Sequence, residues 1–101
     1  MTEDGIAIDG VIHDPAGRRF VLAIPDSDDP AVAYYQTDPD GRLVLTHTEV
    51  PFAASGQGIG SRLAEGVFGH ARRDGLRLVL RCPFMGAWFA RHPDFSDVVD
   101  G

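Results

Sequence analysis

The 101-residue chain contains no lysine and no asparagine, and its nine Lys/Arg positions are all arginine. That bias fits GC-rich coding. It also means that no ε-amine is available as a base, a Schiff-base former or an acceptor for self-acylation. A single cysteine excludes an internal disulfide framework. No apolar run approaches the roughly 18 residues that a membrane span requires, and Met1-Thr2-Glu3-Asp4 lacks the basic and apolar regions of a secretory signal. These absences predict a cytoplasmic protein with no membrane partner. Low-complexity tracts and internal repeats are also missing. The composition, 44% hydrophobic and 24% charged, is that of an ordinary globular chain. This length accommodates one domain with one modest core, burying roughly 65% of the surface its unfolded form exposes.

The net charge of −6 argues against a nucleic-acid partner, but it is unevenly spread. Residues 1–56 carry ten acidic and three basic side chains, and residues 57–92 carry six arginines against Glu65 and Asp74. The basic surplus therefore begins at a glycine-rich stretch, Gly56-Gln57-Gly58-Ile59-Gly60. The last nine residues return to acid with Asp94, Asp97 and Asp100.

Hydrophobic periodicity divides the chain into short elements. Residues 1–10 are acidic and glycine-bearing and are expected to be flexible, leaving 11–101 as the domain. Val11 and Ile12 start a short strand that His13-Asp14-Pro15-Ala16-Gly17 breaks. Residues 18–24, 31–37 and 42–50 alternate as strands, and turns at Pro25-Asp26-Ser27 and Asp38-Pro39-Asp40-Gly41 make them an antiparallel meander. Alternation in the third of these places Leu43, Leu45, His47 and Glu49 on one face. From about Gly58 to Arg73 the period becomes helical, with Ile59, Leu63, Val67, Phe68 and Ala71 on one side and Gly75 as the C-terminal cap. Gly66 and Gly69 inside this helix imply close packing on the sheet. Residues 76–82 form a strand parallel to the third. Pro83 then opens a second helix to about Arg91, followed by an irregular tail. The fold class is α+β, a mixed sheet with two helices.

The glycine stretch sits between a strand and a helix, where bare backbone and the unpaired N–H groups of the helix start can receive an anion. A P-loop requires lysine followed by serine or threonine after its last glycine, and Gly60 is followed by Ser61-Arg62. A dinucleotide fold requires the turn after its first strand and a second βαβ unit, for which the chain is too short. The turn that cradles the pyrophosphate of coenzyme A follows a strand of a mixed sheet and opens one long helix. That order fits.

Four short motifs occur in sequence: His47-Thr48-Glu49-Val50-Pro51, then Gly56-Gln57-Gly58-Ile59-Gly60-Ser61-Arg62-Leu63, then Cys82-Pro83-Phe84, then Arg91-His92-Pro93. With Arg18-Arg19-Phe20 and Tyr35 upstream, they resemble the small YjdJ-type branch of the GNAT N-acetyltransferase superfamily over about residues 11–99. The resemblance implies a short GNAT-like fold that binds acetyl-CoA or another acyl-CoA as co-substrate. The implied binding residues are Val50, Ser55, Gly56, Gln57, Gly58, Ile59, Gly60 and Ser61. It further implies that the strand ending near Val50 and the one ending at Cys82 splay apart around the pantetheine arm. Ser55 departs from the family, which usually has arginine or glutamine there, so donor binding would lean on the backbone amides of 56–60. No particular acceptor is implied.

Cys82 ends a strand and precedes Pro83, so its thiol belongs at a helix N-terminus, a setting that stabilises thiolate. His47 lies near the matching end of the neighbouring strand. Three readings remain open: acyl transfer through Cys82 with His47 as its partner; direct attack by an acceptor amine with His47 or Glu49 as base; and no catalysis, the protein being an acyl-CoA sensor or interaction module. His92 reads as a cap of the second helix, and Trp88 and Phe89 as core or cleft wall. His13 and His70 lie apart in the chain, and no histidine–cysteine set has metal-ligand spacing, so no metal is expected. A monomer or weak homodimer is expected.

Overall fold

The structure, a computed structural model, describes residues 6–52 and 58–101. Six strands form one sheet in chain order: Ala7–Ile8 (β1), Val11–Asp14 (β2), Arg19–Leu22 (β3), Ala31–Thr37 (β4), Leu43–Glu49 (β5) and Leu78–Leu80 (β6). β1 to β5 are antiparallel neighbours, and β6 lies parallel to β5. Helix Ile59–Asp74 (α1) connects β5 to β6, helix Pro83–Ala90 (α2) follows, and Pro93–Val98 is a 3-10 helix.

This is the mixed architecture expected from the sequence, with a longer meander. Five antiparallel strands replace the expected three, because Ala7–Ile8 and Val11–Asp14 each take a place in the sheet. His13 and Asp14 continue β2 instead of breaking it. The turn comes after them, where Arg18 N–H donates to the Pro15 carbonyl at 3.1 Å and Gly17 N–H to Asp14 Oδ1 at 3.3 Å. At the next hairpin, Asp38 Oδ1 accepts from the backbone N–H groups of Asp40 and Arg42, both at 2.9 Å. This is the Asx-type closure that aspartate favours in turns.

Register defines the two faces of the sheet. Val11, Leu22 and Ala31 form one cross-strand row, and His13, Phe20, Ala33 and Thr48 the next. These rows lie under α1, which contributes buried Leu63, Ala64, Val67, Phe68 and Ala71. A fully buried Leu, Val or Phe contributes roughly 1.5–3 kcal/mol. α2 lies beside α1, with Trp88 stacked on Phe68 at 5.0 Å between ring centroids. The opposite face carries the alternate rows, Ile12–Val21–Val32–Glu49 and Asp14–Arg19–Tyr34–His47. Among the described residues no helix covers it.

One correction follows from β5. Tyr34 pairs with His47 and Tyr35 with Leu45, so Thr46 is an extra residue, a bulge. A one-residue bulge reverses the alternation beyond it. Leu43 and Leu45 point into the core, whereas His47 and Glu49 stand on the open face with Val32 and Tyr34. The expected common face for all four residues is broken at Thr46.

Candidate functional site

β5 and β6 pair only over Leu43–Leu45 and Leu78–Leu80. Immediately beyond, the N–H groups of Arg81 and Cys82 both donate to the Leu45 carbonyl, at 3.0 and 2.8 Å. Two donors converging on one acceptor end the ladder. β5 continues to Glu49 with no strand beside it on that side among the described residues, while the other chain turns into α2. The parallel strands therefore part at Leu45, and the start of α2 stands at the mouth of the split.

Cys82 is the N-cap of α2, with extended backbone at φ −75° and ψ 121° and its carbonyl accepting from Gly86 N–H at 3.1 Å. Its side chain is 5% exposed, and its sulfur lies 3.2 Å from the Thr48 hydroxyl. Thr48 sits in the helix-side row, and His47, one residue earlier, points to the other face. The structure thus does not bring His47 to Cys82. The imidazole Nε2 of His47 is 3.1 Å from Glu49 Oε2 instead, and its ring stacks on Tyr34 at 6.2 Å. His47 and Glu49 are both well exposed.

At the start of α1, Gly58 is the N-cap with φ 75°, a left-handed conformation that glycine adopts without strain. It offers no capping side chain, and the first turn of α1 holds no acidic residue. Arg62 N–H takes the Gly58 carbonyl at 3.1 Å. Ile59 is half-buried against the core, as is Val50 across the split. Gly60 faces the ring of Phe84 so closely that a Cβ would not fit, since it would meet Phe84 Cζ at 2.8 Å. The Ser61 hydroxyl accepts from the Trp88 indole N–H at 3.0 Å. Ser55, Gly56 and Gln57 lie outside the described residues.

Phe84 and Trp88 therefore lock the first turn of α1 to α2, and so to Cys82. Sequence reasoning placed Trp88 in the wall or core but missed its hydrogen bond, because indole donors show no spacing signal. The expected capping role of His92 is observed: its Nδ1 donates to the Trp88 carbonyl at 2.8 Å.

A groove of about 580 Å³ lies on the open face, lined by Asp29, Pro30, Val32, Tyr34, Thr48 and Glu49, with Arg19, Val50 and Pro51 completing it. Arg19 is held by Asp14 at 2.9 Å, and that hydrogen bond lowers the carboxyl pKa of Asp14. Among the described residues no group of three or more His, Cys, Asp or Glu side chains is placed to hold a metal, and no helix is long and apolar enough to cross a membrane.

An antiparallel meander that passes through one helix into a parallel strand, and parts from that strand beside the helix N-terminus, is the architecture of GCN5-related acetyltransferases. A family model described as GCN5-related N-acetyl-transferase matches residues 19–98, and the chain belongs to that family. Membership supports acetyl-CoA-dependent acyl transfer as the general chemistry. A GCN5-like protein from Staphylococcus aureus, solved by NMR in solution, superposes with a TM-score of 0.64 and 25% identity, covering 83% of this chain and 82% of its own. Protein NATD1 of Gallus gallus is 30% identical over 93 residues, which is 92% of this chain and 84% of its own length. Human NATD1 is 30% identical over 83 residues, covering 82% of this chain and 74% of its own.

Proposed function

We propose that the protein is a minimal acyltransferase of the YjdJ-type branch, binding acetyl-CoA or another acyl-CoA at residues 55–61 and passing the acyl group to an acceptor amine. The observation that carries this reading is the parting of β5 and β6 at the Leu45 carbonyl, beside the uncapped start of α1. The free N–H groups of that helix start, with the positive end of its dipole, favour the pyrophosphate. Beyond Leu45 no strand pairs this edge of β5 among the described residues, and it offers hydrogen-bonding groups to the amides of an extended pantetheine arm.

The thioester carbonyl then lies near Cys82. In one route the Cys82 sulfur takes the acyl group and CoA leaves as its thiol, after which the acceptor amine attacks the enzyme thioester. In the other the amine attacks the CoA thioester directly. His47 and Glu49, on the far side of β5 from the sulfur, suit proton removal from the acceptor better than activation of Cys82. That separation also favours the alternative of acyl-CoA binding without turnover, in which acyl-CoA binds but no amine releases CoA.

Incubation with acetyl-CoA followed by intact-mass measurement tests the reading. The thiol route predicts an acetyl adduct on the wild type that is absent from Cys82→Ala, and an adduct that persists in Cys82→Ala removes the sulfur from the mechanism. In parallel, millimolar acetyl-CoA should move the backbone amide resonances of residues 58–61. Unmoved amides defeat the donor-binding reading altogether.

A further inference from the structure

The groove on the open sheet face has a chemistry of its own. Val32, Pro30 and the ring of Tyr34 give it an apolar lining, and Asp29 and Glu49 add two carboxylates. Its one cation among the described residues, Arg19, is already bound to Asp14. Asp29 has no cationic partner among the described residues, and Glu49 has only His47, which is charged only when protonated. A cleft of this kind concentrates cations and repels anions. The groove lies against the same stretch of β5 as the split: Thr48 contributes to its lining while its hydroxyl, on the helix side, lies 3.2 Å from the Cys82 sulfur, and among the described residues β6 has ended before this stretch.

We propose that this groove is the acceptor site and that the acceptor is a small primary amine with an apolar alkyl or aryl body and no carboxylate. The assignment rests on the acyl-CoA reading above. The amine arrives as an ammonium held by Asp29 and Glu49, with its apolar part against Val32 and Tyr34. It must lose one proton before it can attack, and the His47–Glu49 pair is placed to accept it. The N–C bond forms at the acyl carbon and the C–S bond breaks. Of the two hydrogens left on the nitrogen, one stays on the amide and the other leaves as the proton that neutralises the departing thiolate, while the His47–Glu49 pair releases the first proton to solvent. The amide product carries no charge and loses its hold on the two carboxylates, which favours its release.

NMR titration of the full chain with phenethylamine, without acyl-CoA, tests the groove alone. Shifts should centre on Asp29, Val32, Tyr34 and Glu49, and 3-phenylpropionate, of like size and opposite charge, should bind about tenfold more weakly, equivalent to about 1.4 kcal/mol. The double substitution Asp29→Asn, Glu49→Gln should abolish that preference. Equal affinity for the anion, or shifts centred elsewhere, overturns the proposal. With acetyl-CoA added, phenethylamine should accelerate release of CoA thiol, and Asp29→Asn should raise KM for the amine about tenfold. Amides 58–61 separate the two failures. If acetyl-CoA moves them but no amine accelerates thiol release, the acceptor assignment is overturned and donor binding stands. If acetyl-CoA leaves them unmoved, the donor reading falls, and the transfer role of the groove falls with it.

Discussion

His13 sends its imidazole beneath α1, where it stacks on Phe20 at 4.4 Å and meets the Tyr35 hydroxyl at 2.6 Å. His70 comes from the last turns of α1 to within 6.2 Å of that ring, buried to 1% exposure, its Nε2–H donating to the Val11 carbonyl at 2.6 Å. Its Nδ1 is buried without a hydrogen-bond partner among the described residues. Burial first, and the neighbouring His70 second, lower the His13 pKa from 6.5, against a smaller upward pull from Asp74 and Asp14. A base with a lowered folded-state pKa takes up its proton more readily when the chain unfolds. Its contribution to stability is therefore complete above pH 6.5 and declines as pH falls below it. Urea unfolding at neutral and mildly acid pH should show this loss in the wild type and a smaller one in His13→Gln, which keeps a polar partner for Tyr35 without titrating. An equal loss in both would assign the acid sensitivity to another group. Neither histidine was legible as one of a pair, since 57 residues separate them and only the β2 register brings them together. The place of Cys82 at the head of a helix was legible from Pro83. Its contact with Thr48 was not, because that depends on the bulge at Thr46.

α1 shows what an element can announce in advance. Its helical period, its glycine cap and its buried stripe all match the sequence expectation: Gly75 takes φ 70° and its N–H reaches the Ala71 carbonyl. The close packing implied by the internal glycines is also present. A Cβ on Gly66 would lie 2.3 Å from Val11 Cγ2 and 2.7 Å from the Ile8 carbonyl, and one on Gly69 would lie 2.8 Å from Ile8 Cγ2. Gly66→Ala should therefore destabilise the protein. Overpacking of this kind costs about 1–3 kcal/mol, set against a gain of roughly 1 kcal/mol in helix propensity. The control is Gly86→Ala in α2, where nothing among the described residues lies within 4 Å of the added carbon and the propensity gain should raise stability. Urea midpoints for the two variants should move in opposite directions, and a stabilised Gly66→Ala would show that the helix can lift from β1 without penalty. β1 was the illegible element, and β2 was legible only at its start, Val11 and Ile12. Strands of two and four residues are too short to display a period, and what holds β1 is its pairing with β2 and its contact with those same glycines.

Taken whole, the molecule has a radius of gyration of 12.7 Å, close to the roughly 13 Å of a compact domain of this length. Its acidic C-terminal segment is packed accordingly. Val99 bridges Leu78 in parallel, Leu80 N–H donates to the Gly101 carbonyl at 2.8 Å, and Asp100 N–H donates to the Leu78 carbonyl at 2.7 Å. Arg72 grips Asp97 through two hydrogen bonds, at 3.0 and 2.7 Å, and lies over Phe95. Arg77 holds Asp100 by donating from two nitrogens, Nε and Nη2, to the single oxygen Oδ1. The hydrogen bonds from Arg72 and Arg77 lower the pKa values of Asp97 and Asp100 respectively. Their contribution to stability is therefore present above the ordinary carboxylate value of 3.8 and lost as pH falls through the lowered ones. Thermal unfolding followed into acid should lose stability less steeply in the Asp97→Asn, Asp100→Asn double variant, and an unchanged slope would leave the clamp without that role. The sequence by itself determined the longer strands, the two α-helices and their caps, the place of Gly58 at the start of α1 and the place of Cys82 after the last strand, because period, turn chemistry and proline act over a few neighbouring residues. Only the tertiary structure decided which side chains meet. One extra residue at Thr46 reverses a face, sets Glu49 in the lining of a groove with His47 bonded to it and leaves Cys82 with Thr48, and that outcome depends on pairing between strands that local sequence does not record.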